Sequence, residues 1–108
     1  MLFGVLLAAA EGPVYLDCVF PRDGKPLSLE ATLDEVNQRA TIALETGYMV
    51  VKPALFSPDR VVVRDKDDTW SFSRTDLSMR RTFSFMPPND PGEAGTCKIK
   101  PAPAKRAF

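Results

Sequence analysis

The chain is predicted to be all-β: an antiparallel meander of about eight short strands, closed as a small barrel or folded over as a two-layer sandwich. Three observations carry this expectation. Apolar and polar residues alternate with a period of two along most of the sequence, the pattern of strands with one buried face. Turn-forming residues recur about every ten positions, the spacing of small sandwiches and barrels. Two cysteines, Cys18 and Cys97, bracket nearly all of the alternating region.

The first strand is carried by Val14, Leu16, Cys18 and Phe20. Pro21 to Pro26 reads as a turn, with Asp23-Gly24 supplying the positive-φ position. Leu27, Leu29, Ala31 and Leu33 mark the second strand. A tight connection is expected at Asp34-Glu35, and Val36, Gln38, Ala40, Ile42 and Leu44 mark the third. A helical stripe (Leu29, Leu33, Val36, Ala40, Leu44) competes over this stretch. Two strands are preferred because Thr32, Thr41 and Ile42 are β-branched and the alternation is unbroken.

Glu45-Thr46-Gly47 is the next turn, and Tyr48 to Phe56 the fourth strand. Pro53 cannot donate to a ladder, so this strand is expected at an edge or bulged there. Ser57 to Arg60 reads as a type I turn with Pro58 second. Val61 to Val63 is the fifth strand, Asp65 to Asp68 a charged hairpin tip, and Trp70 to Ser73 the sixth strand. Leu77 to Phe85 is the seventh, with Leu77, Met79, Arg81, Phe83 and Phe85 on one face. A loop from Pro87 to Gly95 leads to the eighth, Thr96 to Lys100, which carries Cys97. In a closed barrel the first and last strands would be neighbours, and a Cys18–Cys97 bond would pin the closure.

At 108 residues the chain is long enough for one domain with one core. That domain is expected over residues 11–100, preceded by an apolar leader at 1–10 and followed by a proline-rich basic tail at 101–108. Lys+Arg and Asp+Glu both number 14, so the net charge is zero. No overall field steers the protein to nucleic acid or an anionic membrane, and no nucleic-acid partner is expected. Histidine is absent, which removes any Ser–His–Asp or Cys–His device within the chain.

Met1 to Ala10 has the length of a signal-peptide apolar region, and Ala8 and Ala10 give an A-x-A pattern before Glu11. Its basic flank is missing, since the first Arg is Arg22. Ten apolar residues are too few to span a bilayer, so no transmembrane span is expected. A clipped signal, or an ordinary buried segment, are the competing accounts. Two cysteines in a small exported domain usually pair. A periplasmic or extracellular location is therefore expected, or a cytoplasmic one if the leader is not a signal.

The segments ATLDEVNQRAT (31–41), FSPDRV (56–61), SRTDLS (73–78) and GTCKIK (95–100), with the early cysteine, resemble small uncharacterised exported β-rich proteins of bacteria and phages. The resemblance covers roughly residues 15–100. It implies a bacterial or phage source and brings no catalytic residue, ligand or partner.

Four constellations carry groups that chemistry could use. Asp65, Asp67 and Asp68 lack the further ligands and glycine turn of a calcium loop and read as a solvated hairpin tip. Arg74-Thr75-Asp76 reads as a hydrogen-bonded bend. Arg80 and Arg81 point to opposite faces of one strand, so they form no single basic patch. Arg81 shares a face with apolar residues; it is expected at a rim, its stem packed and its head in water. Lys98, Lys100, Lys105 and Arg106 make a basic C-terminus that reads as a solvated tail. No catalytic, cofactor or metal set emerges. The expected function is non-enzymatic: an exported accessory protein that binds a protein partner or is structural. The alternative is a small β-barrel holding an apolar small ligand.

Overall fold

A computed structural model describes residues 12–102. The apolar leader and residues 103–108 of the basic tail lie outside the described residues. Eight strands follow one another: β1 (Val14–Arg22), β2 (Lys25–Asp34), β3 (Arg39–Leu44), β4 (Met49–Phe56), β5 (Arg60–Asp65), β6 (Asp68–Ser73), β7 (Ser78–Phe83) and β8 (Glu93–Lys100). Each pairs antiparallel with the next, and β8 pairs with β1 to close a barrel. The sandwich is thereby excluded. Among the described residues there is no helix, and hence none long and apolar enough to cross a membrane.

Closure follows from the alternation. Each strand keeps one mostly apolar face, and wrapping the sheet on itself buries these faces together while pairing the first strand with the last. Leu16, Cys18 and Phe20 of β1, Leu29 and Ala31 of β2, Ile42 of β3, Val61 and Val63 of β5 and Trp70 and Phe72 of β6 are all at most 3% exposed. Phe20 and Trp70 meet edge to face, centroids 6.0 Å apart, a geometry contributing about 0.5–1.5 kcal/mol beyond burial.

Cys18 and Cys97 face each other in the β1–β8 register and are disulfide-bonded across 79 positions of chain. By the chain-entropy model a loop of that length stabilises by about 4.5 kcal/mol. The bond therefore ties the first strand to the last at the seam which, among the described residues, alone joins strands distant in sequence.

Several boundaries differ from the sequence pattern. β1 and β2 run on through Pro21 and Pro26, which face each other, and only Asp23-Gly24 turns, both at positive φ. The missing donors cost nothing because β3 and β8 do not reach this projecting hairpin. Residues 35–38, not Asp34-Glu35 alone, connect β2 to β3. Val36 is thrown outward at 68% exposure, and Gln38, at φ 53, reverses the chain. β7 stops at Phe83, leaving Phe85 76% exposed and stacked on Phe83.

Pro53 is at no free edge. β4 pairs with β3 through Met49–Pro53 and with β5 only through Ala54–Phe56. Ala54 N–H donates to Gln38 O on the β3 side, at 2.9 Å. Alternation then turns the Pro53 nitrogen toward β5, at the rung just beyond Ala54↔Val63. Proline has no donor to place there, and the β4–β5 ladder stops at that rung.

Candidate functional site

The barrel has two unlike ends. The starts of the odd-numbered strands and the ends of the even-numbered ones surround an open apolar mouth. The opposite end is filled by charge.

The mouth holds a cavity of about 410 Å³, within the size range of small-molecule pockets. Its floor is core: Leu16, Leu33, Val61 and Phe72 are all buried. Its wall is made by Val14, Val36, Phe56, Leu77 and Ile99. Val36 and Ile99 are more than 60% exposed. Leu77 has φ 61, a region that non-glycine side chains rarely adopt. This backbone turn lets Leu77 line the cavity while its carbonyl accepts the Cys97 N–H at 2.7 Å.

The polar part of the rim is one ion pair. Arg74 Nη2 lies 2.8 Å and Nη1 3.3 Å from the two carboxylate oxygens of Glu35. Nη1 also donates to the Ser57 carbonyl at 2.8 Å, and the guanidinium stands over the Phe56 ring at 5.9 Å. The neighbouring bend is the one the sequence suggests. Ser73 Oγ accepts the N–H groups of Thr75 and Asp76, and Asp76 accepts both the N–H and the hydroxyl of Ser78. Those bonds, the Ser78 N–H first, pull the Asp76 carboxyl down to about 2.

At the other end Arg81 corrects the expectation of a solvated rim arginine. Its side chain is 7% exposed, with the guanidinium 4.6 Å from the centroids of both Trp70 and Phe83. Asp68 accepts from it at 3.0 Å, and Glu93 lies 3.6 Å away. The hairpin tip is likewise only partly solvated. Asp65 is buried; it accepts from Tyr48 Oη at 2.5 Å and pairs with Lys52 at 3.2 Å. The Tyr48 hydrogen bond, then Lys52, hold the Asp65 carboxyl below its ordinary range, against the opposing effect of burial. Burial, and then Asp65 itself, push the Tyr48 phenol well above its own. Only Asp67 keeps to the surface, accepting from Ser84.

This cluster is a plug. Two carboxylates on facing positions of β5 and β6, Asp65 and Asp68, each hold a cation from a different strand. The four groups close the end where β4 and β5 have parted. Among the described residues no group of three or more acidic, Cys or His side chains is placed to hold a metal ion.

Of the remaining cations, Arg80 donates to the Pro91 carbonyl on the outer face. Lys100 bridges Glu30 and Asp17, which raise its pKa in that order. Lys98 is exposed. Glu35, Tyr48 and Lys52 were not singled out by the sequence. For Lys52 the signal was present, since it shares parity with Val50, Ala54 and Phe56. Glu35 is outside any strand, and nothing in the sequence brings it to Arg74.

No protein-family model, curated protein or solved structure matches this chain.

Proposed function

We propose that this protein is an exported, non-enzymatic binding barrel that holds a small apolar molecule in its mouth. The observation that carries the reading is the asymmetry of the two ends. One is closed by the Arg81–Asp68 pair, by Asp65 held to a half-exposed Lys52, and by two aromatic rings. The other opens a cavity of about 410 Å³ onto the apolar core. A pocket of that size, mostly apolar with a few convergent polar groups, suits a small ligand. The Cys18–Cys97 bond supports an oxidising compartment.

Calorimetric titration of the purified protein with a decyl-chain alcohol tests this. The expected result is saturable binding, lost in Val14→Trp, which places an indole in the mouth from a half-exposed wall position. An unfolding midpoint near that of the parent would show that the variant still folds. Binding that survives the substitution would move the ligand elsewhere.

A second reading has its own observation. Met49, Val51, Pro53 and Leu55 form an exposed apolar stripe along the outer face of β4. Such a stripe suits contact with a protein partner. Because burial would drive that contact, capture of a partner should be nearly insensitive to salt and abolished by Leu55→Glu.

A further inference from the structure

We infer that the mouth takes a long-chain carboxylate, and that Glu35 is an internal stand-in for its head group. The inference rests on the mouth being a ligand site and adds what the ligand's polar end must be.

The Arg74–Glu35 pair is unequal. Arg74 is the fixed member: its guanidinium lies over Phe56 and donates to the Ser57 carbonyl, and its side chain is 33% exposed. Glu35 is the loose member. Its side chain is 55% exposed, it begins the residue 35–38 turn, and Arg74 is the one side chain shown bonded to its carboxylate. An exposed ion pair is weakly held, so Glu35 can swing into water at little cost.

The cation it vacates is aimed correctly. Arg74 presents both Nη atoms to two oxygens of one carboxylate, the fork geometry that suits planar carboxylates. Arg74 lines the same cavity as Val61 and Phe72. A fatty carboxylate could therefore place its head on Arg74 and its chain against the buried floor. The exchange replaces one carboxylate by another, and the guanidinium beside Phe56 stays neutralised. A cationic amphiphile would have to take Glu35 away from Arg74, leaving that guanidinium unpaired against an aromatic ring.

The test is titration of the full chain with decanoate, decanol and decylamine at neutral pH. Decanoate should bind several-fold more tightly than decanol, no more, since an exposed pair on Arg74 is weakly held and Glu35 must give way to it. Glu35→Gln should tighten decanoate several-fold relative to decanol. Arg74→Gln should reduce decanoate to the level of decanol, and Arg74→Lys should recover part of the loss. Unfolding midpoints of the variants, all at partly exposed positions, report whether each is folded. Equal affinity for acid and alcohol, indifferent to Glu35→Gln, would overturn the head-group assignment while keeping the mouth as a site. A preference for decylamine would overturn it in favour of Glu35. Binding of none of the three would overturn the mouth reading itself.

Discussion

Arg81 stands over the indole of Trp70 at 4.6 Å, at the end of the barrel opposite the mouth. Trp70 is fully buried and its Nε1 has no hydrogen-bond partner; Nε and Nη1 of Arg81 have none either. The guanidinium is held by ring faces, one hydrogen bond to Asp68 and the charge of Glu93. A charge kept so far from water needs its counter-ions.

Removing Arg81 should therefore cost more than its contacts suggest. Arg81→Ala leaves Asp68 and Glu93 partly buried without a cation, and a loss of about 3–5 kcal/mol in urea unfolding is expected. Neutralising the partners as well, in Arg81→Met with Asp68→Asn and Glu93→Gln, should recover much of that loss. A loss under about 1 kcal/mol for Arg81→Ala, the range of a surface pair, would return Arg81 to the solvated rim.

The plug was more legible in the sequence than the expectation allowed. Val61 and Val63 define an inward parity that Asp65 continues; Trp70 and Phe72 define one that Asp68 shares. Likewise Met79 points to Arg81. Alternation places all three charges inside. What overrode it was the rule that charges sit in water, which fails where partners converge. Those partners come from β4, β6 and β8, and no local pattern shows that Lys52 meets Asp65 or that Glu93 meets Arg81. The mouth was less legible. Its floor follows from parity, but its rim is built by turns: Glu35 meets Arg74 across 39 positions of chain. Closure of the barrel was legible only as one of two alternatives, through the cysteines on the first and last strands, since the same alternation also suits a sandwich.

The disulfide is the second target. Cys18 is buried in the core, so the double Cys→Ala variant is cleaner than one that buries hydroxyls there. It should lose about 2–5 kcal/mol, with no change in the order of the strands. Mass spectrometry without reductant should find one intramolecular bond. Two alkylatable thiols in oxidised, exported material would contradict the pairing.

Acidity should act mainly through Asp65 and Asp76. Both carboxyls are lower in the folded protein than their ordinary value. Their contribution is therefore present above the unfolded carboxylate pKa, about 3.9, and fades as pH falls through the folded values. Stability should drop on acidification below about pH 4, and Asp65→Asn should flatten that limb. Tyr48 acts in the other direction. Its folded pKa is raised, so its contribution is complete below about pH 10 and fades as pH rises toward the folded value. Tyr48→Phe should lower stability at neutral pH and weaken the acid limb too, because Asp65 loses its donor. Urea midpoints from pH 2 to 11 measure both limbs. An acid limb that Asp65→Asn leaves unchanged would show that the pull-down of Asp65 is not what shapes it.

Gly95 should be unable to accept a side chain without a shift of its strand. It sits where β8 passes from β7 to β1: Met79 pairs with Gly95, and β1 pairing begins at Thr96. A Cβ there would press into the Val19 carbonyl and come within 2.6 Å of Phe20 Cβ and 2.9 Å of Met79 Sδ. Two of these obstacles are a backbone oxygen and a side chain fixed in the core, so the strand must shift. Gly95→Ala should cost about 1–3 kcal/mol, the usual price of overpacking. Gly47 is the contrast. Its φ of 105 strains any L side chain, yet a Cβ there meets nothing within 4 Å. Gly47→Ala should cost about 1 kcal/mol through the backbone alone. The two mechanisms separate in a double-mutant cycle with Met79→Ala, which frees space beside Gly95. Gly95→Ala and Met79→Ala should couple, the pair costing less than the sum, whereas Gly47→Ala and Met79→Ala should add. A cost for Gly95→Ala no greater than that of Gly47→Ala would show that the barrel tolerates a side chain where β8 changes partners, whereas additivity with Met79→Ala would place the clash on Val19 and Phe20.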